Sequence, residues 1–101
     1  EVNFSNIGTK NLQHLLKSAV NLKKINLDYC SNLSTEFTEK LHLPNLELLR
    51  ISKSNISTNN LQHLLTSAVN LKGLTLDSCD NLLSGFNRIL NLPVLQSLTI
   101  R

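Results

Sequence analysis

Three side chains in the first third of the chain have the types needed for a nucleophilic site: Cys30, His14 and Asp28. A thiolate needs a base within hydrogen-bond reach, about 3 Å, and a third group to orient that base. The other histidines, His42 and His63, raise the question of a metal instead. A metal needs further ligands at short spacing, and neither a Cys-x-x-Cys nor a His-x-x-x-His accompanies them. No phosphate-binding loop and no paired-carboxylate constellation occurs in the sequence. Whether Cys30, His14 and Asp28 can meet depends on the elements that carry them.

Those elements repeat. Residues 11–33 read NLQHLLKSAVNLKKINLDYCSNL, and residues 60–82 read NLQHLLTSAVNLKGLTLDSCDNL. Aligning Ile7–Ser52 with Ile56–Arg101, a shift of 49 without gaps, pairs 46 positions of which 26 are identical. Each unit divides again. Leu22-x-x-Ile25-x-Leu27-x-x-Cys30 recurs from Leu46 with Ser54 last and from Leu71 with Cys79 last, and Leu95-x-x-Leu98-x-Ile100 begins another copy. The first leucines are 24, 25 and 24 residues apart, and Val2-Asn3-Phe4-Ser5 reads as the tail of an earlier copy, with Ser5 matching Ser54. Self-similarity at such a period means stacked units, each burying its apolar face against the next. Alternating apolar residues in Ile25-Asn26-Leu27 and Leu74-Thr75-Leu76 predict strands with one buried face. Leu12, Leu15, Leu16 and Ala19, repeated as Leu61, Leu64, Leu65 and Ala68, have helical spacing. Thr9 and Thr58 are the expected N-caps. The intervening copies have shorter segments: Thr35–His42 with Phe37 and Leu41 inward, and Ser84–Leu90 with Phe86, Ile89 and Leu90 inward, where Gly85 weakens a helix.

The motif resembles the leucine-rich repeat family, whose L-x-x-L-x-L-x-x-N/C-x-L signature recurs every 20–29 residues. The resemblance covers essentially the whole chain. It implies an α/β fold: a leucine-rich repeat solenoid with a parallel concave sheet, convex helices and about four repeats of 24–25 residues, one domain over residues 1–101. Five strands about 4.8 Å apart give a sheet on the order of 20 Å long. The family's turn position points inward and bonds backbone of the neighbouring coil, which implies structural roles for Cys30 and Cys79. The same geometry places Asp28 on the concave side and His14 on the convex side, so the triad does not assemble and no catalytic residue, metal or cofactor is expected. His14 and His63 are expected to cover the edge of the core. Two strands' separation, roughly 10 Å, exceeds the ~7 Å reach of a disulfide between Cys30 and Cys79. Unpaired thiols fit a reducing compartment. Terminal repeats normally carry a polar cap; with none in sight, an uncapped portion of a longer solenoid, or ends that stack on other copies, is expected.

Charge and hydropathy narrow the partner. The formal charge of +3 comes from scattered residues, with no run longer than Lys23-Lys24, so nucleic acid is not expected. No apolar stretch approaches the roughly 18–20 residues of a membrane span and no signal peptide is present. Sequons begin at Asn3, Asn32 and Asn55, as an Asn- and Ser-rich chain produces by chance.

The strand residues between and just beyond the leucines are expected on the concave face. They are Lys24, Asn26, Asp28, Tyr29, Leu48, Arg50 and Ser52 in the first unit, and Gly73, Thr75, Asp77, Ser78, Ser97, Thr99 and Arg101 in the second. Of these seven pairs only Asp28/Asp77 is unchanged, whereas buried positions are kept or exchanged between Ile and Leu. Drift after duplication and selected recognition both fit that contrast. A stiff sheet displaying side chains suits recognition, and interface centres favour aromatics and Arg. Tyr29 and Arg50 are the expected anchors, Leu48, Lys24 and Lys53 flank them, and Asp28 and Asp77 orient the partner. The reading is a non-catalytic protein-interaction module, cytoplasmic, or in a host's cytosol if secreted. Similar repeats occur in bacterial effectors and plant immune receptors. The alternative is the substrate-recognition part of a ubiquitin ligase or other enzyme whose catalytic domain lies outside these residues.

Overall fold

In a computed structural model the chain is described at residues 2–3, 5–18, 20–79 and 96–100, the side chains of Val2, Asn3 and Ile100 excepted. Ala19, Leu95, Arg101 and the segment expected over Ser84–Leu90 lie outside the described residues. The architecture is α/β. Five strands, β1 (Val2–Asn3), β2 (Lys24–Asp28), β3 (Leu48–Ser52), β4 (Gly73–Asp77) and β5 (Ser97–Ile100), form one sheet in chain order. Every pairing is parallel.

Leucine spacing sets the register. Ile25 lies beside Leu49, Leu49 beside Leu74 and Leu74 beside Leu98. Two residues further along, Leu27, Ile51 and Leu76 form a second inward row. Ile25, Leu27, Leu49, Ile51, Leu74 and Leu76 are all buried, as a period of two with one covered face requires. Helices α1 (Thr9–Ser18) and α2 (Thr58–Ser67) supply the other wall, with Leu12 and Leu16 from α1 and Leu61, Leu64 and Leu65 from α2 in the same core. Leu15 departs from its copy: it is 39% exposed, whereas Leu64 is 1% exposed.

Backbone hydrogen bonds repeat with the same spacing. The amides of Glu47 and Leu48 both donate to Lys23 O, those of Lys72 and Gly73 to Glu47 O, and those of Gln96 and Ser97 to Lys72 O. Where the strands end, Tyr29 N donates to Ser52 O and Lys53 N to Asp77 O. Asparagine side chains add a third line: Asn45 Nδ2 donates to Val20 O at 3.1 Å and Asn70 Nδ2 to Pro44 O at 2.7 Å. Each coil thus completes its polar inventory on the coil beside it.

Several local expectations are corrected. Ser57, not Thr58, caps α2: its Oγ accepts from Asn60 N, and Thr58 is the first helical residue. Thr9 likewise lies inside α1, buried, and donates its hydroxyl to Asn32 O. Residues 35–42 form no helix. Side chains from neighbouring coils occupy the backbone groups a helix would use. Asn60 donates to Leu33 O and Thr35 O and accepts from Phe37 N, and Gln13 Oε1 accepts from Thr38 N and Glu39 N. Phe37 and Leu41 still pack inward. Finally, β1 pairs Val2 with Ile25, and Asn6 N donates to Asp28 O as Tyr29 N does to Ser52 O. Ile7 therefore occupies the position of Cys30 and Ser54, and Ser5 does not.

Asn60 is 2% exposed and its copy, Asn11, is exposed. Asn60→Ala strands three backbone groups, and at about 1 kcal/mol or more each it should cost on the order of 3 kcal/mol. Asn11→Ala should change stability by less than about 0.5 kcal/mol. Urea unfolding of both variants checks this; equal costs would contradict the bridging role.

Candidate functional site

Because inward residues alternate with outward ones, the face of the sheet turned away from the helices carries three rows of side chains. Lys24, Leu48, Gly73 and Ser97 form the first, Asn26, Arg50, Thr75 and Thr99 the second, and Asp28, Ser52 and Asp77 the third. A fourth row follows the strands along the rim: Asn6, Tyr29, Lys53 and Ser78.

The rim has an unusual backbone. Asn6, Tyr29, Lys53 and Ser78 have φ of 60°, 58°, 50° and 56°. A side chain in this left-handed region costs on the order of 1 kcal/mol, which only glycine escapes. The conformation turns the chain out of each strand, the amides of Asn6, Tyr29 and Lys53 bond the neighbouring coil, and all four side chains are exposed. Asn6 belongs to this rim too, unannounced by the repeat pattern because the shorter first turn displaces the alignment.

Most expected site residues stand on this surface, with differences in depth. Lys24, Tyr29, Leu48, Arg50, Lys53 and Ser78 are exposed, and Asn26, Asp28, Thr75, Asp77 and Thr99 are half-buried. Tyr29 and Leu48 reach 59% and 42% exposure, high for large apolar groups. Ser52 is a correction: it is buried, 6% exposed, and Arg50 Nε lies 3.4 Å from its hydroxyl. Gly73 is a second correction, being buried rather than displayed. Leu48 leans across β4, and a Cβ built on Gly73 would lie 2.6 Å from Leu48 Cδ2. The missing side chain lets Leu48 form a flat apolar platform. At the rim Lys53 Nζ sits 5.0 Å from the Tyr29 ring centroid and 3.4 Å from its hydroxyl, a cation–π contact that steadies both exposed side chains.

The groups suited to chemistry are kept apart. Cys30 is fully buried, with Sγ 3.5 Å from Asp28 O; Cys79 is half-buried, with Sγ 3.6 Å from Ile51 O. No disulfide joins the two cysteines, and β3 lies between their strands. His14 is exposed on α1, while Asp28 belongs to the helix-free face. His63 packs on Phe37 with ring centroids 5.5 Å apart and so covers the core edge; His14 does not share that position. Asn55, of one sequon, accepts from Leu33 N at 2.9 Å. Two open grooves lie on the helix side, one of about 510 Å³ lined by Gln13, His14 and Glu39 and one of about 520 Å³ lined by His42, Gln62 and His63. Among the described residues no three His, Cys, Asp or Glu side chains gather as metal ligands. Among them, too, no helix is long and apolar enough to cross a membrane.

No protein-family model matches the sequence, and no curated protein or solved structure matches it.

Ser78 isolates the rim's backbone strain, since its Oγ contacts only the adjacent Asp77 carboxylate, at 3.2 Å. Ser78→Gly should leave stability unchanged or raise it by up to about 1 kcal/mol, and Ser78→Val should lower it by about 1–3 kcal/mol. Thermal unfolding measures both; a stabilising valine would contradict the left-handed assignment.

Proposed function

We propose that this chain is a leucine-rich repeat solenoid whose helix-free face binds a protein partner without itself catalysing a reaction. The solenoid reading is supported by the recurring coil of 23–25 residues, visible in the paired positions Val2, Ile25, Leu49, Leu74 and Leu98. The binding reading rests on one observation: Tyr29, Leu48 and Arg50 stand exposed together on adjoining strands, outside the core that already buries the other leucines of β2, β3 and β4. Aromatic and Arg side chains at the centre of a rigid surface carry most of the energy of protein interfaces. The sheet fixes their spacing in advance, so little ordering entropy is lost on docking. Cys30 and Cys79, not joined to each other by a disulfide, favour a reducing, cytosolic setting.

The test is to capture a partner with the whole chain and measure its affinity for variants of this face. Tyr29→Ala and Arg50→Ala should each weaken binding about tenfold or more, equivalent to roughly 1.4 kcal/mol. Their melting temperatures should stay within about 2 °C of the parent, as expected for exposed substitutions. Unchanged affinity, or a melting temperature that falls with the affinity, would contradict the assignment.

A further inference from the structure

We infer that the partner segment received by this face is acidic and carries an aliphatic or aromatic anchor, an inference that rests on the binding role proposed above. Charges are paired differently on and off this face. Away from the face, Lys17 pairs with Glu39, Lys72 with Glu47 at 3.6 Å, and Asn59 donates to Glu36. On the face, Lys24, Arg50 and Lys53 are exposed, and none of the three meets a carboxylate within 4.0 Å among the described residues. Among the described residues Arg50 reaches only the Ser52 hydroxyl, and Lys53 only Tyr29.

The two carboxylates of the face lie deeper than its cations. Asp28 and Asp77 sit in the third row, half-buried beside Ser52. Asp28 Oδ1 is shielded from solvent, and Asp77 accepts from Ser78 at 3.2 Å. What projects outward is cationic, on β2, β3 and the rim beyond them. Between the cations lie the two apolar surfaces, Leu48 spread over Gly73 and the ring of Tyr29. Carboxylates opposite Arg50 and Lys53, with an apolar side chain set against Leu48 or Tyr29, would complement the centre of this cluster. Charge complementarity of this kind selects partners and speeds encounter. A nucleic-acid strand fits less well, since three cations give only a short phosphate track.

The experiment is a selection of displayed short peptides on the whole chain, repeated on Tyr29→Ala and on the Arg50→Glu/Lys53→Glu double variant. Peptides rich in Asp and Glu next to Leu, Phe or Tyr should emerge. The double variant should bind them at least about tenfold more weakly, and salt raised from roughly 50 to 500 mM should weaken them similarly on the parent chain. A selected set that is neutral or basic but loses affinity with Tyr29→Ala would overturn the acidic partner and leave the binding face standing. Selected peptides indifferent to Tyr29→Ala and to the double variant, or no enrichment at all, would sink both. Tighter binding of single-stranded oligothymidine than of any selected peptide would overturn the protein partner in favour of nucleic acid.

Discussion

No coil of this chain satisfies its own backbone or hides its own leucines. The amides at the start of β3, β4 and β5 donate to a carbonyl one coil earlier, and the amides just past β1, β2 and β3 donate to a carbonyl one coil later. Between those lines, Ile25, Leu27, Leu49, Ile51, Leu74 and Leu76 form two continuous buried rows. Burying one such side chain contributes roughly 1.5–3 kcal/mol, but only with a coil on each flank. Leu64, alongside residues 33–43, and Leu15, on the β1 side, show the difference that a flanking coil makes.

This constraint leaves one large surface uncommitted. Helices and irregular segments close over the inward rows, and the outward rows carry little structural duty beyond local contacts such as Arg50 on Ser52 and Leu48 over Gly73. Exposed positions are thus free to vary between the two copies: Tyr29 becomes Ser78, and Arg50 becomes Thr99. Four successive left-handed residues hold the rim outward at a conformational cost that glycine would have avoided. That cost is offset by the amide bonds to the next coil, and its outcome is an exposed Tyr29–Lys53 pair at a fixed place.

Leucine spacing carried the strands, their parallel order and the inward rows, since those depend on a period that a sequence displays directly. Cross-coil side-chain bonds left weaker traces. The segment 35–42 has an apolar pattern suited to a helix, yet Asn60 and Gln13, about 25 residues away in either direction, take its backbone groups. Gly73 has an outward position in the pattern and is covered because Leu48, one strand over, leans on it. The first coil runs from Ile7 to Thr9 where its later copy runs from Ser54 to Thr58, so a gapless alignment misplaces β1 by two residues and conceals Asn6. The charged and aromatic face was visible as a list of positions. Which of them stand proud, and which cations lack partners, is a matter of rotamers and neighbours that no spacing encodes.

The central claim is the parallel stacking of successive coils in one register, and nuclear Overhauser contacts in the isotope-labelled chain test it most directly. The account requires amide-to-Hα contacts linking Ile25–Leu27 with Leu49–Ile51 and those with Leu74–Leu76, each in the pairing found here. Close Hα–Hα contacts between these strands, the mark of antiparallel neighbours, or a register shifted by one residue would contradict it.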